Sequence, residues 1–171
     1  SFKDRFAATA ISHMLQRGES TCLATSSGNT GASLAAYAAA AGIGCCIAVA
    51  ETVPLGKLSQ MLAYGAHIFK VKDFGINQEI DQRTFRALKR LAHQPGWALH
   101  VSGYTFSPEG MRGVETLGFE LAEQLPGVEH VFCQAGGGGM CVSVSRGFAR
   151  LVEEGRILKT PAVHCVQPQG N

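Results

Sequence analysis

Short, continuously apolar runs alternate along this chain with longer stretches in which apolar residues recur every third or fourth position. The short runs read as strands: Thr21–Thr25, Gly44–Ala50, His67–Lys72, Trp97–Ser102, His130–Gln134 and Ala162–Gln167. Several are apolar and β-branched throughout, as strands covered on both faces are. The periodic stretches read as helices. Met111, Val114, Leu117, Leu121 and Leu125 make one stripe, and Met140, Val144, Phe148 and Leu151 make another. Ile76, Ile80, Leu88 and Leu91 outline a more charged helix, on which Glu79 and Arg83 have the spacing of an i,i+4 ion pair. The run from Asn29 to Ala41 is apolar nearly all round, which predicts a helix packed between layers.

Strands and helices alternate about every 25 to 35 residues, the rhythm of βα units in parallel sheets. The predicted fold is α/β, with helices on both faces of parallel sheets and two lobes in a three-layer αβα arrangement. The stretch Ser102-Gly103-Tyr104-Thr105-Phe106-Ser107-Pro108-Glu109-Gly110 follows neither period and is rich in turn formers. It is the expected crossing, with four βα units before it and two after. The lobes would span residues 1–103 and 104–171. Both ends look cut, because the chain opens on a helix start and closes on Val166-Gln167-Pro168-Gln169-Gly170-Asn171, a strand running into a turn. A sheet edge exposed by such a cut would carry unpaired backbone groups.

Composition narrows the function classes. The 171 residues are 46% hydrophobic and 16% charged with a formal charge of +2, so the chain can bury a core but offers no basic run for nucleic acid. The aromatic residues are scattered and do not alternate with Lys or Arg, which argues against a single-strand binder. No apolar run approaches the ~20 residues that span a bilayer, and no signal peptide is visible, so a cytoplasmic protein without a membrane partner is expected. The six cysteines lack C-x-x-C spacing and read as small hydrophobes in a reducing compartment. Cys45 and Cys46 should face opposite sides of a strand, and the histidines are isolated, so no metal site is expected.

Three segments carry chemistry. Gly136-Gly137-Gly138-Gly139 follows a strand and precedes a helix, where bare N–H groups and the helix dipole favour an anion. A dinucleotide fingerprint fits poorly, since Cys141 stands where Gly or Ala is wanted, and the Walker pattern is absent because Gly56-Lys57 is followed by Leu58. Ser26-Ser27-Gly28-Asn29-Thr30-Gly31 also joins a strand to a helix. Its polar side chains suit simple caps and equally suit a substrate carboxylate, with Gly28 and Gly31 allowing close approach to the backbone. Lys3 stands at the start of a helix made apolar by Phe6, Ala7, Ala10, Ile11, Met14 and Leu15. Desolvation and the positive helix end should lower its amine pKa and favour the neutral nucleophile.

In order and spacing, the three segments resemble the fold-type II pyridoxal-phosphate enzymes, the superfamily of tryptophan synthase β, threonine synthase and serine/threonine dehydratase. Ser1-Phe2-Lys3-Asp4-Arg5 is similar to the threonine synthase form of the Schiff-base motif. Gly136-Gly137-Gly138-Gly139-Met140 is similar to the dehydratase and serine racemase form of the phosphate loop. The resemblance implies that the cofactor is pyridoxal 5′-phosphate and that Lys3 is the Schiff-base lysine and moves protons at the substrate Cα. It further implies that Asn29 bonds the cofactor's phenolic oxygen and that Ser26, Ser27, Gly28 and Thr30 surround the substrate carboxylate. Gly136, Gly137, Gly138, Gly139 and Met140 would hold the cofactor phosphate. No residue matches the Ser or Thr that faces the pyridine nitrogen in the family.

The implied activity is that of a lyase breaking a carbon–oxygen or carbon–nitrogen bond of a small amino acid, with a homodimer as the full-length assembly. Lys3-Asp4-Arg5 favours threonine synthase-like chemistry on a phosphorylated homoserine, while the four glycines favour dehydratase-like ammonia loss. A non-catalytic piece or binding module, and a nucleotide-binding α/β domain, are the alternatives of another class.

Overall fold

A computed structural model describes residues 1–169. In chain order the elements are α1 (Phe2–Arg17), β1 (Thr21–Thr25), α2 (Asn29–Ala41), β2 (Gly44–Ala50), α3 (Leu55–Ala63), β3 (His67–Val71), α4 (Gln78–Leu91), β4 (Trp97–His100), α5 (Pro108–Gln124), β5 (His130–Gln134), α6 (Gly139–Glu153) and β6 (Ala162–Val166). A four-stranded sheet has the order β3-β2-β1-β4, and β5 pairs with β6 in a second sheet. Every strand pair is parallel. The fold is therefore α/β with parallel sheets flanked by helices.

Local chemistry explains the element ends. Ser1 caps α1 in a reciprocal box with Asp4, and Gly18 ends the helix in the left-handed region at φ 68°. Asn77 caps α4 by accepting from the Glu79 and Ile80 amides. The main core gathers Phe6, Met14, Leu34, Ile47, Met61 and Met111 from α1, α2, β2, α3 and α5. A smaller cluster of Cys133, Val144 and Phe148 lies under the second sheet.

The closest packing runs through three helices. A methyl group on Gly110 would meet the Phe6 ring at 2.7 Å, and one on Gly113 would collide with the Arg5 carbonyl and the Thr9 hydroxyl. Gly118 sits 2.9 Å, from the same imagined methyl, to the α6 backbone at Val144 and Phe148, and Gly147 abuts the Glu115 carbonyl in return. Polar bonds seal the α1–α5 seam: Arg5 donates to Thr116 at 2.7 Å and to Glu120 at 2.6 Å, and Arg17 pairs with Glu109.

Several expectations need correction. Strands β3, β4 and β6 stop one or two residues early, at Val71, His100 and Val166. The turn expected over Val166 to Asn171 runs into Gly170 and Asn171, which lie outside the described residues. Helix α3 fills the gap between β2 and β3 without an apolar stripe to mark its bounds in the sequence, because only Leu58 and Met61 of its short span are buried. Ile76 and Leu125 fall outside their helices and are exposed. Helix α2 is not enclosed: Tyr37, Ala39 and Ala40 are exposed, so its alanines reflect helix propensity as much as burial. No ion pair joins Glu79 to Arg83 among the described residues. Among the same residues, no helix is long and apolar enough to cross a membrane.

His100 ends β4 in the core, 7% exposed, with Nδ1 3.2 Å from the Ser107 hydroxyl and Nε2 lacking a protein partner. Burial, with Arg17 adding to it, pushes its pKa down from 6.5 to about 4. Between those values the unfolded chain binds the proton and the folded chain does not, so stability falls as pH falls from 6.5 towards 4. The difference corresponds to about 3 kcal/mol. Urea unfolding across this range should show that loss, and His100→Asn should flatten it. An equal acid slope in the variant would overturn the assignment.

Helix packing gives a second test. Gly113→Ala should cost about 1–3 kcal/mol through overpacking. Gly56→Ala, at a helix position with nothing within 4 Å, should instead stabilise by about 0.5–1 kcal/mol. Equal effects on the urea midpoint would refute the close α1–α5 approach.

Candidate active site

In a parallel α/β fold each connecting helix runs antiparallel to its strands, so helix starts and strand carboxyl ends share one edge. The starts of α2 and α6 follow β1 and β5 in this way, and the segment leaving β4 meets the first turn of α1 through Ser102. Lys3 belongs to the first turn of α1 and is half-buried. Its Nζ donates to the Ser102 hydroxyl at 2.7 Å and lies 4.6 Å from the centre of the Phe2 ring. Burial lowers its pKa from the ordinary 10.5, and no neighbouring charge contributes. The expected direction and its desolvation cause therefore appear in the structure.

Ser102 connects the amine to the glycine loop. Its hydroxyl donates towards the Met111 sulfur at 3.8 Å, and Met111 is buried. The Met111 methyl lies 2.9 Å from where a Cβ on Gly139 would stand. Lys3, Ser102, Met111 and Gly139 thus form one contiguous line between the two sheets.

The glycine loop divides by environment. Gly136, Gly137 and Gly138 border open space, with no atom within 4 Å of an added Cβ. Gly138 has φ 72°, and no side chain caps the α6 start that follows it. Free amides, open space and a helix N-terminus fit a phosphate group. Gly139 differs, because Met111 fills the place of its missing side chain. Met140 is half-buried and packs against both core clusters.

The loop from Ser26 to Gly31 faces two hollows rather than one. Ser26 and Ser27 line a cavity of about 230 Å³ with Val49, Phe74 and Gly75. Asn29 lines another, of about 240 Å³, with Ser1, Asp4, Ser33 and Gln60. Ser26 accepts from the Gly28 amide at 3.2 Å, and Gly28 itself is open. Thr30 is buried. Gly31 does not leave room for a ligand, as its spacing in the loop had suggested: Met61 lies 3.1 Å from its absent Cβ and the Ser26 carbonyl is closer still.

Three groups of residues escaped the sequence. Ser102 stood in the sequence only as the end of a strand and the first residue of the turn-rich crossing, and it meets Lys3 across 99 positions. Ser33 of α2 donates to Asp4 at 2.6 Å, tying the first turn of α1 to the second turn of α2. Tyr104 places its hydroxyl 3.0 Å from Ser143 and 3.4 Å from the buried Glu115, whose other oxygen pairs with Arg150 at 3.2 Å. Arg146 covers the Tyr104 ring at 4.3 Å, and burial raises the phenol's pKa. Only the turn-rich stretch around Tyr104 was marked in the sequence.

A half-buried amine with a lowered pKa and a run of bare amides fit a ligand carrying a carbonyl and a phosphate. The chain belongs to the family described as pyridoxal-phosphate dependent enzyme, whose family profile matches residues 1–171. It is similar to a threonine synthase of Mycobacterium leprae, 33% identical over 99% of this chain and 46% of that protein. It is also 31% identical to a 2-amino-4-ketopentanoate thiolase beta subunit from an unknown prokaryotic organism, over 86% of this chain and 32% of that one. Among solved structures, a pyridoxal 5′-phosphate-dependent aspartate racemase is 27% identical with a TM-score of 0.79, covering 99% of this chain and 48% of that one. The chain therefore spans about half the length of these threonine synthase and racemase relatives. Its family cofactor is pyridoxal phosphate.

Gly138 offers a direct test of the cradle. At φ 72° an alanine is strained by about 1–2 kcal/mol. Gly138→Ala should lower the urea midpoint accordingly and weaken pyridoxal phosphate binding several-fold. Unchanged binding would remove this loop from the cofactor site.

Proposed function

We propose that this chain is the part of a pyridoxal-phosphate lyase that carries the covalent attachment point and the phosphate cradle. The observation that carries the proposal is the line from the half-buried Lys3 amine through Ser102 and Met111 to Gly139. When bound, the cofactor supplies an electron sink that makes the substrate α-proton acidic. Lys3 is the group that takes and returns that proton at Cα. Amides of Gly136, Gly137, Gly138 and Gly139 hold the phosphate, with Met140 packing the helix start beneath them. Asn29 bonds the ring's phenolic oxygen. Ser26, Ser27, Gly28 and Thr30 orient the substrate carboxylate.

The substrate is a small amino acid, and α-proton abstraction precedes elimination or replacement further along its side chain. Threonine synthase-like chemistry on a phosphorylated homoserine is the leading form, supported by likeness to threonine synthases over 99% of the chain. Dehydratase-like ammonia loss is the second form, favoured by glycine at all four loop positions and Met140 after them. The two lobes divide at residues 103 and 104, the full-length enzyme is a cytoplasmic homodimer, and fold type II describes its architecture. The reading of another class is a chain that keeps the cradle without catalysis.

Pyridoxal phosphate added to the purified chain should give a visible absorbance band. Borohydride reduction and peptide mapping should then place the label on Lys3, and Lys3→Ala should lose both. No band, or label spread over other lysines, would sink the proposal. If the band forms, product analysis with phosphohomoserine, threonine and serine separates the two reactions. A labelled chain that converts none of them supports the non-catalytic reading.

A further inference from the structure

Across 99 positions, the structure brings the Ser102 hydroxyl to the Lys3 amine. Its oxygen accepts from Nζ at 2.7 Å while its own proton is directed at the Met111 sulfur, 3.8 Å away. The hydroxyl is thereby committed as an acceptor on the lysine side. Both forms of a lysine amine can donate to it, but only the neutral form has a lone pair. When the amine has donated one N–H to Ser102, that lone pair points away from Ser102. The buried Met111, which abuts the Gly139 backbone, fixes the arrangement with respect to the glycine loop.

We propose that Ser102 is a positioning residue for Lys3: it holds the amine by one N–H, restricting its rotation and leaving the nucleophilic lone pair clear of the Ser102 hydroxyl. This rests on the reading of Lys3 as the attachment lysine. Ser102 does not deprotonate Lys3, because its hydroxyl has no base behind it; the proton leaves to solvent. Its influence is on orientation and on the balance of charged and neutral amine. The charged amine makes the stronger hydrogen bond, so removing the acceptor disfavours the ammonium and lowers the lysine pKa further. Loss of the acceptor also frees the amine to rotate, which slows attack on a carbonyl at equal neutral fraction. A merely structural serine would not move the two quantities in opposite senses.

The test compares Ser102→Thr, which keeps the hydroxyl, with Ser102→Val, which has the same branched shape without it. In the cofactor-free chain, trace acetylation of Lys3 followed by peptide mapping across pH reports the amine pKa. At pH 8, Ser102→Val should be acetylated about threefold to tenfold faster than wild type. Its limiting rate of adduct formation with pyridoxal phosphate at high pH should fall about tenfold. Ser102→Thr should follow wild type in both. Identical acetylation profiles and limiting rates for the Thr and Val variants would overturn the proposal while leaving the role of Lys3 intact. If wild type forms no adduct at Lys3, the functional reading fails, and the acetylation comparison still decides whether Ser102 holds the amine.

Discussion

The site depends on how closely α1 can approach α5. Gly110 and Gly113 remove the side chains that would hold the two helices apart, so the Phe6 ring, the Arg5 carbonyl and the Thr9 side chain sit directly on α5. The same helix then uses Gly118 against Gly147 to bring α6 equally near. Lys3 heads α1 and the glycine loop heads α6, so two close helix contacts set the distance between the amine and the cradle. A wider seam would displace Lys3 by the same amount, and small misplacements of a reacting group are costly in rate. Glycine in a helix interior carries an intrinsic penalty of about 1 kcal/mol relative to alanine, which makes these glycines costly positions retained for approach.

Electrostatics follow from that geometry. Parallel topology puts several helix starts on one edge, each with unsatisfied amides and a partial positive charge. Such an edge suits phosphate and carboxylate and disfavours a charged lysine. Lys3 lies within it, half-buried and with a lowered pKa, and it donates to a neutral hydroxyl, that of Ser102. Asp4, the nearest acid in sequence, is held by Ser33 on α2 instead. The neighbourhood therefore favours the neutral form of the amine, and the bare amides are the groups that fit an anion.

Features governed by local or periodic physics were legible in the sequence. The strand runs β1, β2 and β5 and helix α2 were readable to the residue, because buried parallel strands are continuous apolar runs and Gly18 and Gly42 stop helices by adopting the left-handed conformation. The glycine loop and the Asn29 loop were legible because turn chemistry is local. Helix α3 was not, since two buried residues make too short a stripe to register a period. Nor was Ser102, because a hydrogen bond across 99 positions leaves no trace in spacing. The packing glycines of α5 were visible as letters, but only a partner helix gives their absent side chains a meaning. Gly31 shows the converse: its loop position suggested room for a ligand, and Met61 occupies that room.

The same distinction bears on which reaction this scaffold serves. Lys3-Asp4-Arg5 favoured threonine synthase-like chemistry as a motif, yet its three side chains point to different structures. Lys3 reaches Ser102, Asp4 is bonded by Ser33 of α2, and Arg5 reaches Thr116 and Glu120 of α5. Asp4 and Arg5 therefore dock α1 between its neighbours and do not touch the amine. Their identity reports on how α1 is seated, a requirement shared by any reaction run from Lys3. The crossing segment, by contrast, links α5 and α6 through Tyr104, whose hydroxyl meets Glu115 and Ser143. Within the motif it is Asp4 and Arg5, not Lys3, whose bonds serve packing, so their letters alone do not choose between the two reactions.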